Sequence, residues 1–162
     1  MRAEKAHRIR LRFFGILTVL IMAAIFLFSA QSGDESGKLS DGFLASLIGA
    51  VLERLLPPLS GQGMDADIRK YAHMAEFFCL GVSVFLYLSE RFTWRRSVKT
   101  PLFSLAICFL YACSDEVHQL FVPGRAGMFR DVLIDSVGFS IGILLVFLIS
   151  IAAGCSRAFK QS

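Results

Sequence analysis

The chain is short of charge, and its cysteines follow no pattern. Charged residues make up 19% of the sequence against 55% hydrophobic, whereas a soluble domain averages about 25% charged and about 45–50% apolar. Cys79, Cys108, Cys113 and Cys155 are scattered, three of them inside apolar runs. That excludes the paired spacing of a zinc module and the setting of a secreted disulfide framework, and we read them as small core residues. No internal repeat or low-complexity tract is present, so residues 1–162 read as one unit. The net charge of +4 comes from short Lys and Arg clusters between apolar runs rather than from one stripe, which sets aside a nucleic-acid partner.

What is present is long apolar runs. The spans are expected at about 13–30, 71–89, 101–119 and 132–154, each close to the roughly 20 residues that cross a hydrocarbon core. The first follows Arg2, Lys5, Arg8, Arg10 and Arg12, and it is longer than the apolar region of about 7–15 residues in a cleaved signal peptide. Phe26-Leu27-Phe28 before Ser29-Ala30 is also a poor cleavage site, so the run reads as an uncleaved anchor. A second cluster, Arg91, Arg95, Arg96 and Lys99, sits with Phe92 and Trp94 between spans two and three, and Arg157 and Lys160 follow span four. With four spans all three clusters fall on one side, the cytoplasmic side by the excess of Lys and Arg. The expected protein is an all-α polytopic four-helix transmembrane bundle in a bacterial cytoplasmic membrane, with both termini cytoplasmic.

The segment from Gln31 to Asp67 then lies outside. After the loop-like GDESGKLSDG, an amphipathic helix is expected at about 41–56, capped by Ser40 or Asp41 and stopped by Pro57-Pro58. Its apolar residues recur at helical spacing, but the run is too short to span, so it lies flat on the interface or folds over the bundle.

Ionisable residues gather at the outer ends of three spans. Arg69, His73 and Glu76 share a face of the second helix. Ser114, Asp115, Glu116, His118 and Gln119 crowd the end of the third, with Asp115 and His118 on a shared face, and Asp131, Asp135, Gly138 and Gly142 share a face of the fourth. The link QLFVPGRAGMFRD adds a Pro-Gly turn with Arg125 and Arg130. Carboxylates and imidazoles near hydrocarbon cost roughly 2.5–3.5 kcal/mol by insertion scales and mark functional sites by default. Gly138 and Gly142 suit close packing against a neighbouring helix.

These residue types divide by chemistry. His73, Glu76, Asp115, Glu116 and His118 suit acid and base work, because a histidine beside a carboxylate titrates near neutrality. Arg69, Gln119, Arg125, Arg130, Asp131 and Asp135 suit substrate binding, since the Arg fork matches carboxylate or phosphate. Ser29 and Gln31 either hydrogen-bond into the cluster or merely end helix one. The same charges also admit a purely structural lock between helices. His73 and His118 with Glu76, Asp115 or Asp135 have donor types for zinc, but no local ligand spacing marks them, so no metal site is assigned and any cofactor stays unnamed. His7 is expected to be solvated, and nothing charged is expected in the cytoplasmic halves of the helices, which disfavours a proton-linked carrier.

FSAQS at Phe28 to Ser32, RKYAHMAEFFCLG at Arg69 to Gly81, YACSDEVHQLFVPGR at Tyr111 to Arg125 and RDVLIDSVGFSIG at Arg130 to Gly142 together resemble the VanZ-like family in order and spacing. These are small bacterial membrane proteins, and the family includes a factor associated with teicoplanin resistance. The resemblance implies the membrane fold and a cell-envelope role, without fixing a reaction. The expected partner is a membrane lipid or lipid-linked envelope precursor whose anionic group is bound or modified. The alternative is a noncatalytic accessory protein that shields a surface ligand or organises a membrane-protein partner.

Overall fold

The computed structural model describes residues 2–31, 64–92, 98–125 and 127–159. They form four helices: α1 (Arg2–Ser29), α2 (Met64–Arg91), α3 (Lys99–Gln119) and α4 (Phe129–Phe159). There is no strand among the described residues. Each helix carries a segment long and apolar enough to cross a membrane, at Glu4–Ser29, Arg69–Arg91, Lys99–Gln119 and Phe129–Ala153. The all-α polytopic bundle expected from the runs is therefore present. The expected interfacial helix at about 41–56 lies outside the described residues, as do Trp94, Arg95, Arg96 and Lys160.

The helices outrun the charge-free segments at several ends. Arg2 to Arg12 continue α1 as one helix rather than forming a separate arm, because Arg, Lys, Glu and Ala are all strong helix formers.

Lipid sets the packing rules. Apolar side chains gain little by leaving hydrocarbon for a protein core, so association depends on close backbone approach and internal hydrogen bonds. α3 shows this directly. Thr100, Ser104, Cys108, Ala112, Asp115, Glu116 and Gln119 face inward, while Leu102, Phe103, Phe109 and Leu110 are exposed. Two of the buried hydroxyls are satisfied by their own helices: Ser104 donates to the Thr100 carbonyl at 2.8 Å and Ser83 to the Leu80 carbonyl at 3.0 Å. Cys108 is a buried small residue as expected, but Cys79 is exposed. It lies on the flank of α2 turned away from Leu80 and Gly81, the residues that face the bundle.

α2 is the hub, packing most extensively against α4 and next against α1. Glycine makes the α2–α4 contact possible. A Cβ on Gly81 would stand 2.5 Å from the Phe139 carbonyl oxygen, and one on Gly142 would stand 2.5 Å from that of Phe78. At Gly138 it would overlap the Met74 carbonyl oxygen. Ile25, Phe77, Leu80, Val84, Phe85, Phe139 and Ile143 fill the middle of the bundle.

At the end where α1 begins and α2 finishes, charge enters the interior. Glu90 is 6% exposed; His7 Nδ1 lies 3.0 Å from its Oε2, and Arg10 Nε donates to its Oε1 at 3.2 Å. This corrects two expectations. His7 is engaged rather than simply solvated, and a carboxylate does sit at this end. The reason is length: the helical arm of α1 rises alongside the last turn of α2, so His7 and Arg10 reach Glu90.

Gly138→Ala is predicted to lower the melting temperature of the purified protein, corresponding to about 1–3 kcal/mol of overpacking, despite alanine's better helix propensity. Gly15→Ala is predicted to be neutral or stabilising, because its Cβ would meet only the Tyr87 ring, at 3.3 Å, and a ring can yield. Equal melting temperatures for the two variants would contradict this account.

Candidate functional site

At the opposite end of the bundle the last turns of α1 and α3 meet the first turns of α2 and α4. Asp115 on α3 is 2% exposed. Its Oδ2 accepts from Ser29 Oγ on α1 at 2.8 Å and from Gln119 Nε2 on α3 at 2.9 Å, and lies 3.1 Å from His73 Nε2 on α2. Gln119 also reaches Ser29 Oγ at 3.3 Å. Asp135 on α4 places its Oδ2 3.7 Å from the same His73 nitrogen, and Glu76 places Oε2 3.2 Å from the other, Nδ1.

Counting hydrogens fixes the character of this cluster. An ionised carboxylate only accepts, so holding both ring nitrogens of His73 requires protons on both, or a proton on a carboxyl in place of one. Either way the cluster holds a proton shared between the imidazole and the carboxyls of Asp115 and Glu76. Asp115 Oδ1, Glu116 Oε1 and Asp135 Oδ2 are buried without a protein hydrogen-bond partner. Such atoms in a native interior are sites for water or a bound group.

The loop between α3 and α4 closes over this cluster. Glu116 accepts the Met128 backbone N–H at 2.8 Å. Gly124 takes a φ of 76°, which favours glycine, and a Cβ on Gly127 would stand 2.5 Å from the Glu116 carbonyl oxygen. Arg125 Nε donates to the Gln31 carbonyl at 3.0 Å and its Nη2 to that of Phe28 at 3.4 Å, capping the carbonyl end of α1. Burial, and after it the like charge of Arg69, pull the Arg125 guanidinium below its ordinary value. Asp131 pairs with Lys70.

The residues singled out in the sequence therefore separate. Ser29, His73, Glu76, Asp115, Gln119 and Asp135 come together, Glu116 holds the covering loop, and Gln31 joins through its backbone to Arg125. Arg69 is half-buried beside Arg125, and Arg130 is exposed. His118 stands apart from the carboxylates, stacked on Phe26 of α1 with ring centroids 4.0 Å apart. The spacing of three from Asp115 does not decide this, since His73 and Glu76 pair at the same spacing; the rotation of α3 about its axis turns the His118 ring toward α1. Lys70 went unnoticed although it precedes His73 by three residues and so shares its face. Tyr111, whose hydroxyl donates to the Met22 carbonyl at 2.6 Å, had no such signal. Among the described residues no group of three or more His, Cys, Asp or Glu fits a metal ion.

A family model described as VanZ/LLP1 matches residues 14–150, a span that includes all four motifs and every residue of this cluster. The chain belongs to the VanZ/LLP1 family. Neither the curated proteins nor the solved structures contain a match to it. Membership and four spanning helices make this VanZ/LLP1 protein a multi-pass membrane protein.

Asp115→Asn is predicted to cost about 3–5 kcal/mol, as expected for removing one partner of a buried ion pair. Ser29→Ala should cost about 1.5–3 kcal/mol, the range for a hydrogen bond to a charge. Combining the two should cost less than the sum, because the Ser29 hydroxyl has little left to stabilise. Thermal melts of the purified single and double variants check this, and strict additivity would show that Ser29 and Asp115 are not coupled.

Proposed function

We propose that this VanZ/LLP1 protein binds, at its polar end, the anionic group of a membrane lipid or lipid-linked cell-wall precursor. The observation that carries the reading is the gathering of cations at this end: Arg69 is half-buried at the start of α2, and Arg125, also half-buried, is held by its Nε and Nη2 against the carbonyl end of α1. The planar forks of these guanidiniums suit phosphate or carboxylate. Arg130, exposed on the first turn of α4, adds a third cation to the rim.

In this reading the polar end faces outward and both termini lie in the cytoplasm, which the basic residues of the opposite end favour. The ligand then belongs to the outer leaflet of the bacterial cytoplasmic membrane. Occupying or altering a precursor group there is also how the protein would contribute to glycopeptide resistance, teicoplanin in particular.

A second reading, chemical modification of the bound group, is favoured by the contact between Asp115 and His73. A buried carboxylate that orients an imidazole is the arrangement of general acid–base catalysis. His73 would be the acid or base, with Asp115 and Glu76 as its orienting carboxylates. Against it stands the engagement of both His73 ring nitrogens by carboxyls, which leaves neither turned to a substrate. Binding is therefore the first reading.

Arg69→Gln and Arg125→Gln are each expected to weaken retention of a polyprenyl diphosphate by the purified protein about tenfold, the equivalent of one charge-assisted hydrogen bond. Teicoplanin susceptibility should rise in cells carrying either variant at normal membrane abundance. His73→Gln should leave retention within about twofold if binding is the function. Full retention by both Arg variants would overturn the proposal, and loss of phenotype with retention intact in His73→Gln would select modification.

A further inference from the structure

The basic arm of α1 has two faces. At 100° per residue, His7 and Arg10 lie on one side, where they clasp Glu90, and Arg2, Lys5, Arg8 and Arg12 lie on the opposite side. Arg2, Lys5, Arg8, Ile9 and Arg12 line a groove of about 590 Å³ among the described residues. The clasp accounts for two of the arm's charged or chargeable side chains, and the four that line the groove point away from it. Arg8 additionally meets the exposed Glu4 at 3.6 Å, a pair of the kind that contributes little.

The same face continues into the membrane as bare hydrocarbon. Ile9, Phe13, Ile16, Val19 and Leu20 are 57–64% exposed and follow the cations along one side of α1. With 28 residues, α1 is about 42 Å long against a hydrocarbon core of about 30 Å. Its first turns therefore rise into the headgroup layer, where Arg and Lys stems lie along apolar surface and carry their charge outward. Cations at headgroup depth above an apolar runway match an amphiphile with an anionic head and acyl chains.

We propose that this face of α1 is a binding site for an anionic phospholipid, with the phosphate held by Lys5, Arg8 and Arg12 and the acyl chains laid along Ile16, Val19 and Leu20. The site is separate from the polar end of the bundle and does not depend on what that end binds. It gives the arm a role beyond orientation: lipid holds one face while Glu90 holds the other, fixing α1 against α2 where the two helices leave the membrane.

The test uses the full chain extracted from vesicles of equal phosphatidylglycerol and phosphatidylcholine, with retained lipids counted by native mass spectrometry. The wild-type protein should retain phosphatidylglycerol preferentially. That preference should fall about fivefold per cation removed, following roughly 1 kcal/mol per Lys or Arg near an anionic surface, along the series R8Q, R8Q/R12Q and K5Q/R8Q/R12Q. H7Q, on the clasp face, should keep the preference while lowering the melting temperature. Free glycerol 3-phosphate should not displace the lipid. Equal retention of the two lipids, a preference unchanged in R8Q and R8Q/R12Q, or displacement by glycerol 3-phosphate at concentrations matching the lipid would each overturn the proposal, the last by reassigning the groove to a soluble phosphate. Should the triple variant fail to fold, R8Q alone carries the same reading.

Discussion

One oxygen of Asp115 holds the polar end together. It accepts from Ser29 on α1 and Gln119 on α3 and faces His73 on α2, which in turn faces Asp135 on α4. Together Asp115 and His73 touch all four helices. Hydrocarbon offers no replacement partner, so a carboxylate at this depth is tolerable only while the protein supplies donors. The ends of all four helices are positioned by that demand. The Arg125 cap on α1 and the Glu116 contact with Met128 then close the loop over the same point.

The bundle is organised as two charged ends separated by an apolar middle. At one end His73 lies among carboxyls; at the other Glu90 lies between His7 and Arg10. Ile25, Phe77, Leu80, Phe85 and Ile143 occupy the space between. This separation bears on function. A carrier needs polar groups that continue across the membrane or helices that open, and the glycine contacts between α2 and α4 bring backbones close enough to resist opening. A binding site at the rim needs neither, which is why the cationic mouth of Arg69 and Arg125 is the stronger basis for a functional reading than transport. The groove proposed on the outer face of α1 fits the same scheme, since cations gather at each end of the bundle.

Much of the fold was legible without coordinates. Run length, charge-free composition and basic clusters locate four helices, because the cost of burying charge in lipid leaves few alternative arrangements. The crowding of polar residues at three helix ends marks the candidate site for the same reason, and Gly138 and Gly142 announce a close contact by their spacing. The partners of these residues were not legible. Which helix the glycines meet, and that Gly81 and the Phe78 and Met74 carbonyls complete the contact, depends on how α2 and α4 are rotated about their axes.

The same distinction separates the two histidines. Sequence alone gives His73 and His118 equal standing, each one helical step from a carboxylate. Rotation of α3 by a fraction of a turn sends His118 to the ring of Phe26 and leaves His73 among the carboxyls. Likewise the composition of the N-terminal arm predicts its side of the membrane, but not that His7 and Arg10 turn inward to Glu90 while Lys5, Arg8 and Arg12 turn out. The sequence by itself determined the membrane fold, the four spans of the described residues and the end at which polar chemistry gathers, because each follows from local composition against a solvent of known thickness. Tertiary structure decided who pairs with whom, because pairing depends on helix rotation and approach, which residues distant in the chain set together.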